Sequence, residues 1–260
     1  KARLSLYRQS VLDQLTSGKQ AKSGAVSTLG QVIDSIGQGW SPRCENVPSP
    51  SPDEWGVIKT TAIQAGYFDE TENKKLPSTL NPRTHLELQD GDLLITRAGP
   101  RRRVGVACLV NKPRPRLILC DKAYRLSVRL EKVDPTYLEA VLNSPSTQQE
   151  IEELKSGIND SGLNLTQTRF LSLEFHLPNL DEQNEIIAEI EVKMSNINAL
   201  EAQIEEDLSR AKSLRQSILK RAFSGNLVEQ DPNDEPASVL LERIKAEKEA
   251  TRKNKQKRKA

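Results

Sequence analysis

The most regular hydrophobic pattern of the chain lies in its second half. From position 190 to position 222, apolar side chains recur at alternating steps of four and three residues, and this ladder is interrupted only at Glu201 and Arg215. Four or more heptads of this kind are typical of a coiled-coil helix. We therefore predict one long helix over residues 181–224, roughly 65 Å in length at 1.5 Å per residue. Gly225 is its predicted stop.

Between residues 25 and 175 the apolar runs are short and follow a different period. They read VIDSI, WGVIKTTAI, DLLITRAG, VGVACLV, RLILC and YRLSVRL, separated by Gly, Pro, Asn or Asp. Such runs are typical of a β-rich domain with frequent turns. Two helices are predicted to interrupt it, at residues 135–144, with Asp134 as N-cap and Pro135 at the first helical position, and at residues 145–154. The proline-rich stretch 42–53 is predicted to be a surface loop.

Together these patterns predict an α+β fold in four parts. Residues 1–22 form the end of a helix and a linker, and residues 23–178 form the β-rich domain. The run LPNLDEQ marks the boundary to a long coiled-coil helix over residues 179–226. Residues 227–260 form a basic, disordered tail that carries one amphipathic piece, ASVLLERIKAEKEA, and ends in TRKNKQKRKA without an acid.

One block of sequence occurs at both ends of the chain. YRQSVLDQLTSGK at residues 7–19 matches LRQSILKRAFSGN at residues 214–226. The two copies lie too far apart for a solenoid repeat, so we predict two equivalent helix ends in a protein of two units. The chain then opens on the end of a helix, with a face formed by Leu4, Tyr7, Val11 and Leu15 and with Gly18 as its stop.

Composition excludes several classes of protein. Hydrophobic residues make up 36 % and charged residues 28 % of the chain, which predicts that part of it is an exposed, elongated element. No apolar run approaches the roughly 18 residues that cross a membrane. The cysteines and histidines lack metal-ligand spacing and are read as reduced thiols in the cytosol and as structural histidines; they are Cys44, Cys108, Cys120, His85 and His176.

The sequence also predicts that the chain is not an enzyme. Gly37 and Gly39 lack the strand and helix context of a nucleotide-binding loop. No phosphate loop, methyltransferase motif or cluster of nuclease carboxylates with lysine is present in the sequence.

Positive charge is concentrated in residues 97–129, although the net charge is only +2. Asp121 is the one acid of this segment, and its basic residues are Arg97, Arg101, Arg102, Arg103, Lys112, Arg114, Arg116, Lys122, Arg125 and Arg129. The arginine triple 101–103 follows a Gly-Pro turn signal between two apolar runs. It is either a solvated hairpin tip or a DNA contact, and we favour the contact because arginine binds both guanine and phosphate.

The order of motifs identifies a resemblance. LGQVIDSIGQGWSP, DGDLLITRAG, DPTYLEAVLNSP, LPNLDEQNEIIAEIE, LRQSILKRAFSGNLV and EPASVLLERI follow one another as in the specificity subunit of type I restriction–modification enzymes. The resemblance implies two target-recognition domains held apart by two antiparallel helices. This chain resembles the second half, a β-rich target-recognition domain followed by a long coiled-coil spacer helix. It is then either a fragment or a half-subunit that pairs with itself.

The basic segment and the resemblance together give the candidate site residues. Candidate DNA contacts are Trp40, Ser41, Arg43, Lys59, Thr60, Thr61, Arg97, Arg101, Arg102, Arg103, Lys112, Arg114, Arg116, Lys122 and Asn164. Asn164 can read adenine, but a role in a turn is equally consistent. Candidate docking residues at the two ends of the spacer helix are Asp181, Glu182, Gln183, Arg215, Gln216 and Ser217.

The implied partners are double-stranded DNA and the methyltransferase and restriction subunits. S-adenosylmethionine, ATP and magnesium are expected only on those partner subunits, so no cofactor is expected on this chain. If this half is expressed alone, the long helix is expected to form a homodimer. The alternative is a coiled-coil scaffold whose β-rich domain binds another protein. A steep loss of duplex binding with added salt separates the two hypotheses.

Overall fold

The computed structural model describes residues 2–18, 22–49, 51–228, 233 and 235–257. The chain divides into two compact units, Lys1–Glu201 and Ala202–Ala260. The described helices are α1 (Ala2–Thr16), α2 (Leu29–Val32), α3 (Pro135–Asn143), α4 (Pro145–Leu154), α5 (Gln167–Leu171), α6 (Leu180–Phe223) and α7 (Ala237–Lys257). The division between the two units falls inside α6.

All described strands lie in the first unit. They are β1 (Ala25–Thr28), β2 (Ile33–Gln38), β3 (Gly56–Ile58), β4 (Ile63–Gln64), β5 (Tyr67–Phe68), β6 (Asn73–Lys75), β7 (Leu93–Thr96), β8 (Ala98–Gly99), β9 (Ala107–Leu109), β10 (Leu117–Ile118), β11 (Ala123–Val128), β12 (Leu163–Asn164) and β13 (Glu174–Leu177). Two 3₁₀ turns, Thr60–Ala62 and Thr84–Leu86, complete the list. The predicted α+β class is thereby confirmed.

The larger sheet is antiparallel in the order β2-β11-β7-β9, and a second sheet has the order β10-β3-β6. Strand β7 contributes side chains to two buried hydrophobic clusters of the unit. Leu93 and Ile95 pack with the side chains of α3, such as Tyr137, whereas Leu94 packs with Val57 and Leu117 of the second sheet. Because successive side chains of a strand point to opposite faces, a strand between two cores is apolar throughout, which explains the uninterrupted LLIT run.

Helices α3 and α4 match the sequence prediction closely. Asp134 caps α3 by accepting hydrogen bonds from the backbone N–H groups of Thr136 and Tyr137. Ser144 caps α4 in the same way through Thr147 N–H, and each helix begins with a proline. Local capping chemistry therefore sets these boundaries.

Helix α1 packs against α3 and α4. Val11 is 2 % exposed, as its predicted place on the helix face requires, but Tyr7 is 52 % exposed. The predicted face is wrong at Tyr7, because the packed part of α1 is only the stripe around Val11 and Leu15. Both predicted helix stops are glycines with left-handed backbone, Gly18 at φ 73° and Gly225 at φ 72°.

Strands β1 and β13 join the two ends of the β-rich segment. They pair antiparallel, with Ala25 opposite Leu177 and Thr28 opposite Glu174. His176 lies in this pair, where its Nε2 is 2.9 Å from the carbonyl oxygen of Ser23. This histidine therefore has the structural role that its isolation in the sequence predicts.

The second unit contains the end of α6 and helix α7. The structure differs here from the disordered tail expected at residues 227–260, because α7 covers Ala237–Lys257. Its sequence is rich in Glu, Lys and Ala, which favour helix even without tertiary packing. The last residues of the basic end, 258–260, lie outside the described part. Among the described residues no helix is long and apolar enough to cross a membrane.

Candidate nucleic-acid interface

A groove of about 590 Å³ lies between three loops of the first unit: the loop after β2, the connection from β3 to β4, and the turn before β11. We call it the basic groove. It is lined by Ser41, Pro42, Arg43, Cys44, Val57, Ile58, Lys59, Thr60, Thr61, Lys74, Cys120, Asp121 and Lys122. It brings together six predicted DNA contacts that are far apart in the sequence: Ser41, Arg43, Lys59, Thr60, Thr61 and Lys122.

Backbone and side-chain bonds fix two walls of the groove against each other. Trp40 N–H donates to the carbonyl of Leu119 at 2.9 Å, and Asp121 N–H donates to Ser41 Oγ at 3.1 Å. The ring of Trp40 is half-buried against the second core. The guanidinium of Arg83 lies 4.6 Å from the centre of that ring, so Trp40 has a packing role in addition to any contact with DNA.

Three cations of the groove are uncommitted. Arg43, Lys74 and Lys122 are exposed, and no hydrogen bond or ion pair joins their side chains to the described residues. Their charges are therefore free to meet phosphate groups. The sequence analysis missed Lys74. The signal was the alternation in the NKK strand, where Lys74 is exposed while Lys75 makes an ion pair with Glu54 at 2.6 Å.

Lys59 and Thr61 are already bound to a carboxylate. Lys59 Nζ lies 3.3 Å from a carboxylate oxygen of Glu72, and Thr61 Oγ1 donates to the same oxygen. The bonds from Thr61 and Lys59 lower the pKa of Glu72, which therefore remains charged at neutral pH. Lys59 is thus a partly neutralised member of the groove.

The arginine triple 101–103 does not act as one loop tip. Arg101 is bound by the carboxylates of Glu152 and Asp160, which raise its pKa. Arg103 points inward and donates to the carbonyls of Thr60 and Ile63. Arg102 alone of the three is exposed without an ion pair to the described residues. The expectation of three free guanidiniums is corrected to one, because acceptors distant in sequence bind the other two.

Other arginines of the basic segment tie loops together. Arg97 donates to the carbonyl of Asp121 at 2.8 Å, and Arg114 donates to the carbonyl of Ser49 at 2.7 Å. Arg116 is bound to the carbonyl of Asp53. Arg125 donates to the carbonyl of Glu87 at 2.7 Å, and Arg129 lies 3.1 Å from a carboxylate oxygen of Asp34. Burial lowers the pKa of Arg114. These arginine side chains stabilise the loops.

Lys112, another predicted DNA contact of the basic segment, is exposed.

Asn164 lies beside the groove along a connected strip of backbone. It pairs with Ala98 in the β8–β12 ladder, and Ala98 N–H donates to the carbonyl of Lys122 at 3.3 Å. Its side chain is exposed. Both interpretations of Asn164 therefore remain compatible with its position, since its backbone forms a bridge with Ser156.

The proposed docking residues fall into two groups. Glu182 and Gln183 are buried in the first unit: Glu182 accepts from Ser23 and from Lys22 N–H, and Gln183 is 0 % exposed. Their side chains are therefore bonded within the chain, which leaves Asp181 as the exposed candidate at the start of α6. Asp181 is exposed, as are Arg215, Gln216 and Ser217 in the second unit.

The cysteines offer no reactive group. Burial raises the pKa of Cys108 to about 12 and that of Cys120 to about 11. Burial also raises the pKa of Cys44, against the opposite influence of Lys74. Among the described residues there is no group of three His, Cys, Asp or Glu side chains that could hold a metal ion.

Comparison with known proteins places this chain among relatives of one kind, although no family model matches it. It is 42 % identical to the type I restriction enzyme EcoEI specificity subunit of Escherichia coli, over 63 % of this chain and 27 % of the relative. It is 31 % identical to the EcoKI specificity subunit of Escherichia coli strain K12, over 78 % of this chain and 46 % of the relative. The chain thus spans less than half the length of these relatives.

Solved structures show the same fold. One comes from work on complex assembly and conformational transition of the type I R-M system; its TM-score is 0.65 at 20 % identity, covering 87 % of this chain and 53 % of that one. The HsdS subunit from Thermoanaerobacter tengcongensis gives a TM-score of 0.55 over 87 % of this chain and 52 % of that one, also at 20 % identity. The curated relatives are named as specificity subunits of type I restriction enzymes. The resemblance predicted from the motifs is confirmed, and the chain is a homologue of the specificity subunits of type I restriction enzymes.

Proposed function

We propose that this chain recognises double-stranded DNA by sequence, as part of a type I restriction–modification system. The observation that carries the proposal is the basic groove, where Arg43, Lys74 and Lys122 are uncommitted cations around polar side chains. Its support from the comparisons is the homology to specificity subunits. Cations of this kind supply affinity for phosphates, while hydroxyl and amide groups contact base edges.

The proposed readout is of one half-site of a few base pairs, since the chain contains one β-rich segment. Ser41 and Thr60 are proposed base contacts, because their hydroxyl groups line the groove together with free cations. Asn164 is a third, because it is exposed and pairs with Ala98, whose N–H donates to the carbonyl of Lys122. Arg102 is a proposed contact to phosphate or guanine, because it is the unpaired guanidinium of its turn. Major-groove binding is favoured, since that groove distinguishes all four base pairs.

Binding to a fluorescently labelled duplex, titrated at several salt concentrations, tests this function. We expect the logarithm of the association constant to fall linearly with the logarithm of salt concentration. A variant with Arg43, Lys74 and Lys122 changed to alanine should lose roughly 0.9 of slope for each phosphate contact removed. A matched variant with Lys212, Lys245 and Lys248 changed to alanine should keep the slope. Salt-independent binding, or none, would favour the scaffold hypothesis.

We further propose that methyltransferase and restriction subunits dock on α6. The exposed residues available for this are Asp181 near its start and Arg215, Gln216 and Ser217 near its end. The recurrence of Arg-Gln-Ser at positions 8–10 supports docking at two equivalent places, since Gln9 and Ser10 are exposed as well. Arg8 differs, because it makes an ion pair with Glu201 at 2.6 Å.

Self-association of this half through α6 is the third part of the proposal. Ile197 is buried, but the next rungs of the apolar ladder, such as Ile204 and Leu208, are exposed among the described residues. Covering a large apolar side chain contributes about 1.5–3 kcal/mol. A second copy of this helix offers a matching apolar face.

A further inference from the structure

Arg103 stands in a turn whose backbone is fixed on the rest of the fold. The turn joins β8 to β9, and Arg103 N–H donates to the carbonyl of Pro100 at 2.7 Å. Val104 is buried. Gly105 has φ 93°, and a Cβ added there would lie 2.5 Å from Ile151 Cγ2, so α4 sits directly against the turn. The side chain of Arg103 therefore starts from a well-defined position, unlike that of Arg102 at the exposed tip.

The guanidinium of Arg103 binds one wall of the basic groove. It donates to the carbonyls of Thr60 and Ile63 and, at 3.1 Å, to Gln64 Oε1. Gln64 Nε2 in turn donates to the carbonyl of Thr61 at 2.6 Å. Thr60 begins the 3₁₀ turn Thr60–Ala62 and Ile63 follows it, and the carbonyl of Thr60 also accepts from Ile63 N–H. Arg103 therefore contacts both ends of the turn.

The same 3₁₀ turn is held a second time by Glu72, through Lys59 and Thr61. Two charged groups that are distant in sequence thus fix one short segment. Lys59, Thr60 and Thr61 all line the basic groove. A shift of this segment would move every polar group that it contributes to the groove.

The arrangement is costly for Arg103 itself. Its Nε is buried without a hydrogen-bond partner among the described residues, and no carboxylate forms an ion pair with it there. Burial lowers its pKa, and the neighbouring charge of Arg102 acts in the same direction. A partly buried charge bound only by neutral acceptors carries a desolvation cost, whereas the fork of five donors suits an arginine to hold several carbonyls at once.

We propose that Arg103 is a positioning residue, which fixes the 59–64 segment for sequence discrimination and makes no contact with DNA phosphate. The inference rests on the proposed function, since it explains how the 59–64 wall of the basic groove is held in the position that sequence recognition requires. It separates two neighbouring arginines by role: Arg102 contributes charge to the complex, and Arg103 contributes the geometry of the wall. It also replaces the direct contact that the sequence suggested for Arg103.

A duplex pool with randomised central positions is the probe that tests the proposal. The wild-type chain and the variants Arg103→Met, Arg103→Lys and Arg102→Ala are each used to select bound duplexes, and the salt slope of binding is measured on the pool. We expect Arg102→Ala to keep the sequence preference and to lose roughly 0.9 of slope. We expect both Arg103 variants to keep the slope and to flatten the preference, because Met has no donor and the compact ammonium of Lys lacks the planar fork that spans the acceptors of Arg103.

A loss of slope in Arg103→Met like that of Arg102→Ala would overturn the proposal, and so would an unchanged preference in Arg103→Lys. Arg103→Lys keeps the charge and decides the matter if Arg103→Met fails to fold. Amide hydrogen exchange without DNA gives an independent readout: the amides of Ala62 and Ile63 should exchange at least about tenfold faster in the variants. Unchanged exchange would contradict the positioning role. A wild-type chain that binds no duplex would count against the proposed function instead.

Discussion

Gln183 is a neutral amide with no exposed surface, and it joins three separate backbone groups. Its Oε1 accepts from Asp134 N–H at 2.8 Å, and its Nε2 donates to the carbonyls of Lys132 and Pro178 at 2.9 and 2.8 Å. The side chain thus ties the start of α6 to the N-cap of α3. Its sequence neighbours, Glu182 and Asn184, differ in exposure, so the pattern DEQN gives no indication of which polar residue is buried.

Gln183→Ala should lower the free energy of unfolding by about 2–4 kcal/mol, because buried partners lose their bonds as a group. Asn184→Ala, an exposed amide in the next position, is the matched control and should change stability by less than about 0.5 kcal/mol. Urea unfolding monitored by circular dichroism measures both. Equal effects of the two substitutions would contradict the structural role of Gln183.

Glu139 makes the free energy of unfolding depend on pH. Its carboxylate accepts from Leu109 N–H at 2.5 Å, and burial raises its pKa above the ordinary glutamate value. The folded chain therefore holds the proton more tightly than the unfolded chain. Stability from this group is complete below the ordinary pKa and is lost as pH rises through the raised one.

Glu139→Gln keeps an oxygen acceptor for Leu109 N–H and removes the titration. We expect the variant to gain stability relative to wild type as pH rises from about 4 to about 7.5. Glu131→Gln, at an exposed glutamate, is the control substitution. Denaturant midpoints at the two pH values provide the measurement, and parallel curves for wild type and Glu139→Gln would refute the prediction.

At the scale of elements, the sequence predicts well those helix boundaries that are set by neighbouring residues. Helices α3 and α4 follow from Asp134, Ser144 and the prolines after them. The partners of short strands are not local: Gly56 of β3 lies beside Leu117 of β10. Hydrophobic period alone carries no information about such pairings.

The candidate site shows the same limit. Its loops and basic character were predictable from Arg43, which lies in the proline-rich stretch, and from Lys59 and Lys122, which come just after apolar runs. The division of arginines into free and bound was not, because the partners of Arg101 and Arg103 are some forty to sixty residues away in sequence. An arginine looks the same in the sequence whether its guanidinium is free or bound to another part of the fold.

The exposed ladder of α6 yields a prediction for this element. Changing Ile204 and Leu208 together to lysine places charges in the apolar face and should abolish self-association of the chain. Ser213→Lys adds a charge on the opposite face of the same helix and should leave it intact. Sedimentation velocity at tens of micromolar decides between these outcomes. A monomeric wild type with the helix still formed would rule out the dimer.

The whole molecule should act through partners. We expect the isolated chain to transfer no methyl group, and a mixture with a cognate methyltransferase subunit to methylate duplexes selectively. Changing Arg215, Gln216 and Ser217 together to alanine should weaken partner binding by about tenfold or more, since each is exposed on α6. Exposed Lys245 and Lys248 on α7, changed to alanine, serve as the control.

Methyl transfer to labelled duplexes and co-sedimentation with the methyltransferase subunit are the two measurements. If the Arg215, Gln216 and Ser217 variant still binds the partner fully, docking lies elsewhere. Methyl transfer by the chain alone would contradict the proposed role as a recognition subunit.

The pairing of β1 with β13 has a consequence for how such chains diversify. The segment between these strands leaves and returns at one point, where Ala25 lies opposite Leu177. The ladder is made of backbone bonds, which tolerate changes of side chain. Gene crossovers that fall within the two short strands would therefore exchange the whole segment between β1 and β13 as one unit. If this segment reads DNA as proposed, new sequence preferences would arise by recombination in one step, while α1 and α6 keep their surfaces unchanged.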